Sequence, residues 1–176
     1  HSSNRRQRQM CIRDRVIPTQ GAAFQSAECV LLAQEGPQYA ELPGLFENLD
    51  DNTIIVSLNP AFSDDGPSQD WIQILEILSE RDHTYIELPN LCLLEATDWR
   101  PDTAEKWFPY YDAIWQNFEY ARLLVASDWP FIKSLSDIDN VSCVSNHSLF
   151  IEWARARRIE KYFTQILITN VLNAYG

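Results

Sequence analysis

The chain has 176 residues, with 25 acidic against 14 basic side chains, a formal charge of −11, and only five glycines. That acidity argues against a broad electrostatic grip on nucleic acid or an anionic membrane, because phosphate contacts need Lys and Arg. Phosphate-cradling glycine loops of the GxGxxG or GxxxxGK[ST] type are missing. No apolar run approaches the roughly 18 residues of a membrane span, so a cytoplasmic protein is expected.

Residues 1–15, HSSNRRQRQMCIRDR, stand apart, with five basic residues, one acidic residue and no apolar period. They read as translated adapter sequence and are set aside as an expression scar would be. Residues 16–176 hold nine basic against 24 acidic side chains, a balance of −15. They suffice for one α/β domain with a sizeable core. The abrupt end at Ala174-Tyr175-Gly176 reads as a domain cut short. Cys11 belongs to the arm. Cys29, Cys92 and Cys143 are widely spaced without CxxC pairing, which predicts buried thiols rather than disulfides or metal ligands.

Residues 22–34 predict a short helix with Phe24, Ala27, Val30 and Leu31 on one face, stopped by Gly36-Pro37. Residues 37–52 read as loop. The β-branched run from Thr53 to Leu58 suits a central strand covered on both faces. It enters Asn59-Pro60-Ala61-Phe62-Ser63-Asp64-Asp65, and a helix then opens at Pro67-Ser68. Its stripe is Trp71, Ile74, Leu75 and Leu78, with Ser68 as N-cap and Asp70 in the first turn. The apolar run 84–94 is interrupted by Pro89, which predicts an edge strand or a covering segment.

Residues 98–109 read as loop, and Pro109 suits the start of a helix carrying Tyr111, Ile114, Trp115 and Phe118. Residues 121–127, ARLLVAS, predict a second buried strand ending in Asp128-Trp129-Pro130-Phe131. A basic-faced helix is expected over 149–163, after Ser148. Residues 165–172, QILITNVL, predict a third buried strand ending in Asn173-Ala174. Strands alternating with helices indicate a parallel sheet. Ligands of such sheets bind past the carboxyl ends of strands, near a topological switch point. That puts the three strand-end segments on one rim.

Asn59 at a strand end offers an amide to substrate or water while Pro60 stiffens the loop, although the same pair is ordinary turn chemistry. Asp64 and Asp65 suit a polar turn better than a general base or metal pair. A carboxylate closing a buried strand, as at Asp128, needs hydrogen bonds or nearby water. Cys143 and His147 lack a third orienting group for a nucleophilic site, His83 is isolated, and no zinc spacing occurs; neither metal nor cofactor is expected. The aromatics Trp99, Trp107, Phe108, Tyr110, Tyr111 and Trp115 suit a core better than an exposed stacking surface. Arg155, Arg157, Arg158 and Lys161 make the one dense basic stretch outside the arm.

The segment IIVSLNPAF resembles the first motif of the uracil-DNA glycosylase-like superfamily, an apolar strand entering a Gly-hydrophobic-Asn-Pro-Gly/Ser loop. LLVASDWPF is similar to a strand of divergent branches ending in Asp-Leu-Phe-Pro, and ILITNVLNAYG resembles their Ile-rich strand ending in Asn-Ala. Order and spacing agree over about residues 52–176. Ser57 and Ala61 depart from the small residues of the first loop, and the His-Pro-Ser motif is not present. The resemblance implies a three-layer α/β/α sandwich with a central parallel sheet, truncated at its C-terminus. In it Asn59 and Asp128 would be catalytic and Phe62 would stack on a flipped base. Pro60, Ala61, Trp129 and Asn173 would complete the substrate rim. The partner would be a nucleobase, nucleotide or DNA, and the reaction N-glycosidic hydrolysis. The acidity favours a competing expectation, a non-catalytic small-ligand or protein-interaction module on the same fold. A metal-dependent hydrolase using Asp64 and Asp65 is the third.

Overall fold

The computed structural model describes residues 29–35, 53–61, 63–89, 91, 101–126 and 143–175. The described elements are strands β1 (Cys29–Glu35), β2 (Thr53–Asn59), β3 (Thr84–Leu88) and β4 (Leu123–Val125), with helices α1 (Gln69–Ser79), α2 (Phe108–Phe118), α3 (Cys143–Arg157) and α4 (Asn170–Tyr175). Short 3-10 turns cover Pro101–Trp107 and Glu160–Tyr162, and a π-helical turn covers Gln165–Thr169.

All the described strand pairs are parallel and the order is β1-β2-β3-β4, following the chain. Each strand therefore lies beside the next one in sequence, with no reversal among the described strands. A doubly wound sheet reverses and opens a crevice at that point; a sequential order is that of a βα-barrel wall. The switch point expected from the sequence is not found here.

Right-handed crossovers of a sequential sheet put the connecting helices on one face. Ile54, Val56 and Leu58 of β2, Ile86 and Leu88 of β3 and Leu123 of β4 turn to that face. There they meet Trp71, Ile74, Leu75 and Leu78 of α1, Tyr110, Tyr111, Ile114 and Phe118 of α2, and Phe150, Trp153 and Ala154 of α3. The stripe read for α1 is its buried face, and the Ser68 hydroxyl caps it by accepting from the Trp71 N–H at 3.3 Å. Most of the aromatic stretch is core: Trp107, Tyr110 and Tyr111 are at most 1% exposed.

Four elements differ from the sequence expectation. Cys29–Glu35 is a strand, not the end of a helix; its residues 29–33, CVLLA, pair along β2. β3 is interior, lying between β2 and β4, because Pro89 falls one residue beyond its end and removes no ladder donor. Cys143 and His147 lie in α3, which starts a turn and a half before its expected position.

The fourth difference is the expected third strand at 165–172. It is helical, first as the π-turn and then as α4. The segment wraps the β4 side of the described sheet: Ile166 packs in the helix-side core, while Val171 and Ala174 pack on Ile55 and Leu124 of the opposite face. Asn170, fully buried, makes the crossing possible. Its Nδ2 donates to the Tyr120 carbonyl at 2.7 Å and the Leu123 carbonyl at 2.8 Å, and its Oδ1 accepts from Gln165 at 2.7 Å. The Leu123 carbonyl of β4 and the Tyr120 carbonyl of the preceding turn are thus met by one side chain.

Candidate functional site

Along β2 the residues alternate, so Ile55, Ser57 and Asn59 face away from α1 and α2. The register places Ile55 beside Tyr85, and Ser57 between Ala33 and Glu87, with Leu124 next to Glu87. Asn59 stands opposite Glu35 at the carboxyl ends of β1 and β2. Along β2 and β3 this second face passes from Ile55 and Tyr85 to Ser57 and Glu87, which stand in one row with Ala33 and Leu124.

Glu87 is the least expected member. It is 3% exposed, in the interior strand of the described sheet. Removing a carboxylate from water is costly unless it is hydrogen-bonded. One partner is the Tyr175 hydroxyl at the end of α4, which donates to Glu87 Oε1 at 3.0 Å. The sequence reading passed over Glu87 because it lay in a segment assigned to an edge or cover. The available signal was a lone acid inside the apolar run TYIEL.

The loop after β2 is held from the helix side. The Tyr110 hydroxyl accepts from the Ser63 N–H at 2.9 Å and donates to the Ser63 carbonyl at 3.1 Å. A tight turn comes next: the Gly66 N–H donates to the Ser63 carbonyl at 3.0 Å, the Asp65 N–H donates to the Ser63 hydroxyl at 3.2 Å, and Gly66 takes φ +91°. Asp64 and Asp65 are exposed members of that turn. The Asn-Pro segment is thus a short bridge from the second face to a pinned turn.

The residues anticipated for the site divide accordingly. Asn59 is half-buried on the second face, Pro60 is buried and Ala61 is exposed. Asn173 was expected at a strand end; it is exposed on α4 instead. Phe62, Asp128 and Trp129 lie outside the described residues. Asp128 comes three positions after β4 in sequence. Among the described residues, no three His, Cys, Asp or Glu side chains come together as a metal set. None of the described helices is long and apolar enough to cross a membrane.

The basic stretch is largely committed to structure. Asp112 of α2 accepts from Arg157 Nε at 2.8 Å and from the Trp153 indole N–H at 2.9 Å, with a second oxygen on the guanidinium. The hydrogen bond to Asp112 raises the Arg157 pKa above its ordinary value, against the opposing effect of burial. Arg155 pairs with Glu152 at 3.1 Å.

No family model matches the chain, and no curated protein matches it. Solved structures do. An amidohydrolase from Burkholderia multivorans, in one crystal form with bound HEPES and in another with bound zinc, is 18% identical, with TM-scores of 0.69 and 0.70. Each match covers 88% of this chain and 55% of the other. Amidohydrolase 2 from Bifidobacterium longum subsp. infantis is 16% identical at a TM-score of 0.58, over 88% of this chain and 52% of that one. The chain therefore spans about half the length of the structures it matches. These likenesses overturn the glycosylase resemblance: the fold matched is that of the amidohydrolase structures, not a glycosylase sandwich. The physical reason agrees, since the third motif of that resemblance is a helix and the sheet order is sequential. The chain is an α/β protein with a parallel sheet and the fold of those amidohydrolase structures.

Proposed function

We propose that this chain contributes the strand carboxyl-end rim of an amidohydrolase-type hydrolase acting on an amide, ester or lactone bond of a small molecule. The sequential all-parallel sheet, matched to amidohydrolase structures over 88% of the chain, carries this reading. Folds of this strand order place their reacting groups past the carboxyl ends of the strands. A nucleobase or nucleotide ligand was implied by the glycosylase resemblance and loses that support with it.

In this reading Asp128, three positions beyond β4, is the general base. It takes a proton from water as the water oxygen bonds to the substrate carbonyl carbon. The proton then passes to the departing nitrogen or oxygen as that bond breaks. Asn59, at the end of β2, hydrogen-bonds the substrate carbonyl or the water. One matched amidohydrolase has bound zinc. The described residues of this chain do not assemble a ligand set for it.

The test is turnover by the 176-residue chain on a panel of aryl esters, lactones and N-acyl amines. Asp128→Asn is expected to lower kcat by about 100-fold or more with little change in KM, as loss of a general base does. A panel without turnover, or an Asp128→Asn variant at full rate, would overturn the proposal.

A further inference from the structure

We propose that Ser57 is a substrate-binding residue of the second face, and that it selects molecules carrying a polar group about 7 Å from the reacting carbonyl. The inference rests on the hydrolase reading and narrows the substrate class of that same site. Three observations carry it.

The first is an opening in a closed sheet. β2 lies between β1 and β3, and its residues Ile54, Ile55, Val56 and Leu58 are at most 1% exposed. Ser57 stands among them and is half-buried. Two residues on, Asn59 is half-buried as well. Along β2 the second face is therefore shut at Ile55 and reachable from Ser57 to Asn59.

The second is an uncommitted hydroxyl. Polar side chains inside a sheet are as a rule hydrogen-bonded. Among the described residues, the Ser57 hydroxyl has no hydrogen-bond partner. The Thr84 hydroxyl has none either, but it is fully buried on the helix side, where no ligand arrives. Ser57 differs in being reachable.

The third is spacing. Alternate residues of a strand point the same way, about 7 Å apart. Ser57 and Asn59 thus form one line of two polar side chains, and the proposed hydrolase puts Asn59 on the substrate carbonyl or the water. A molecule held at Asn59 and extending back along β2 brings its next group to Ser57. A serine hydroxyl both donates and accepts, so a hydroxyl there is welcome. A methyl in its place strips water from Ser57 and returns no hydrogen bond, at a loss of affinity.

The test uses the 176-residue chain and two probes of equal length, the N-methyl amides of an ω-hydroxy acid and of its ω-methyl counterpart, with the hydroxyl about 7 Å from the carbonyl. NMR titration of the wild type is expected to give about tenfold tighter binding of the hydroxy amide. Ser57→Ala should reduce that preference to less than twofold, and Ser57→Thr, which keeps the hydroxyl, should retain it. Equal affinities in the wild type, no binding of either amide, or a preference that survives Ser57→Ala would overturn the proposal. Ser57→Cys gives a second readout if Ser57→Ala does not fold. The hydroxy amide should slow its labelling by iodoacetamide at position 57, with the native cysteines, separated by peptide mass spectrometry, unaffected; unslowed labelling would overturn the proposal. Turnover of the matched para-nitrophenyl esters separates the two readings. A hydroxyl preference in binding without hydrolysis removes the hydrolase and keeps the role of Ser57. Hydrolysis of both esters at equal kcat/KM does the reverse.

Discussion

Asn170→Asp is nearly isosteric, yet it should be among the most damaging single changes in the chain. The wild-type amide nitrogen donates to two main-chain carbonyls at 2.7 and 2.8 Å, in a side chain with no solvent exposure. The substitution puts an acceptor oxygen where that donor was, facing two other acceptors. Two hydrogen bonds at about 0.5–1.5 kcal/mol each are lost, and buried carbonyls left unmet cost about 1–3 kcal/mol each. The bond from Gln165 survives, because it ends on the unchanged oxygen. An ionised carboxylate at this buried position adds a desolvation cost of its own. The expected loss at pH 7 is about 3–5 kcal/mol. Burial raises the pKa of the introduced carboxyl above its unfolded value of about 3.9. The deficit should therefore be smallest below about pH 4 and grow as pH rises through the folded-state value. Urea melts of both proteins at pH 4 and pH 7.5 measure this. A loss under about 1 kcal/mol at pH 7.5, or a deficit that shrinks as pH rises, would refute the account of β4's edge.

Other substitutions probe the remaining features. Tyr110→Phe keeps the buried ring and its edge contact with Trp71 but frees the Ser63 backbone; because Ser63 is exposed and can rehydrate, stability in urea should fall by only about 1–1.5 kcal/mol at constant m-value, with faster amide exchange over 63–66. Gly66→Ala has room, since its Cβ would meet only the Pro109 Cβ at 3.9 Å; the positive φ alone should cost about 1–2 kcal/mol by thermal melt, and Gly66→Asn less. Asp112→Ala strips the partner from the buried Trp153 indole and should cost about 1–3 kcal/mol with little dependence on salt, because the ion-pair part with half-exposed Arg157 is screened.

Much of the fold was legible because its signals were local. The β-branched run at 53–58 is β2, Trp71, Ile74, Leu75 and Leu78 are the buried stripe of α1, and Ser68 caps it. What failed depended on neighbours. QILITNVL has the composition of a strand, yet the Leu123 carbonyl of β4 is met by the Asn170 side chain, and the segment satisfies its own hydrogen bonds as a helix. CVLLAQE was hidden in the opposite way, since a helical apolar spacing over 24–31 outweighed a run too short to declare itself a strand. Of the site, Asn59 was readable as the polar end of β2, whereas Glu87 became visible only once β3 was interior and the register set it beside Ser57.

The contrast between the two faces of the sheet is the best argument that the second is functional. The helix side is apolar through Ile54, Val56 and Leu58 of β2 and through Ile86 and Leu88 of β3, with the buried Thr84 as its polar exception at the start of β3. The other face begins the same way, with Ile55 and Tyr85, and then turns to Ser57, Glu87 and Asn59 within a few residues. Stability alone gives no reason for that change, since burying Glu87 in place of an aliphatic residue costs free energy that hydrogen bonding offsets only in part. The change occurs at the carboxyl ends of the strands, where a sequential parallel sheet presents its chemistry. Among the described elements, α4 lies on this face, with Val171 and Ala174 against Ile55 and Leu124 and the Tyr175 hydroxyl on Glu87.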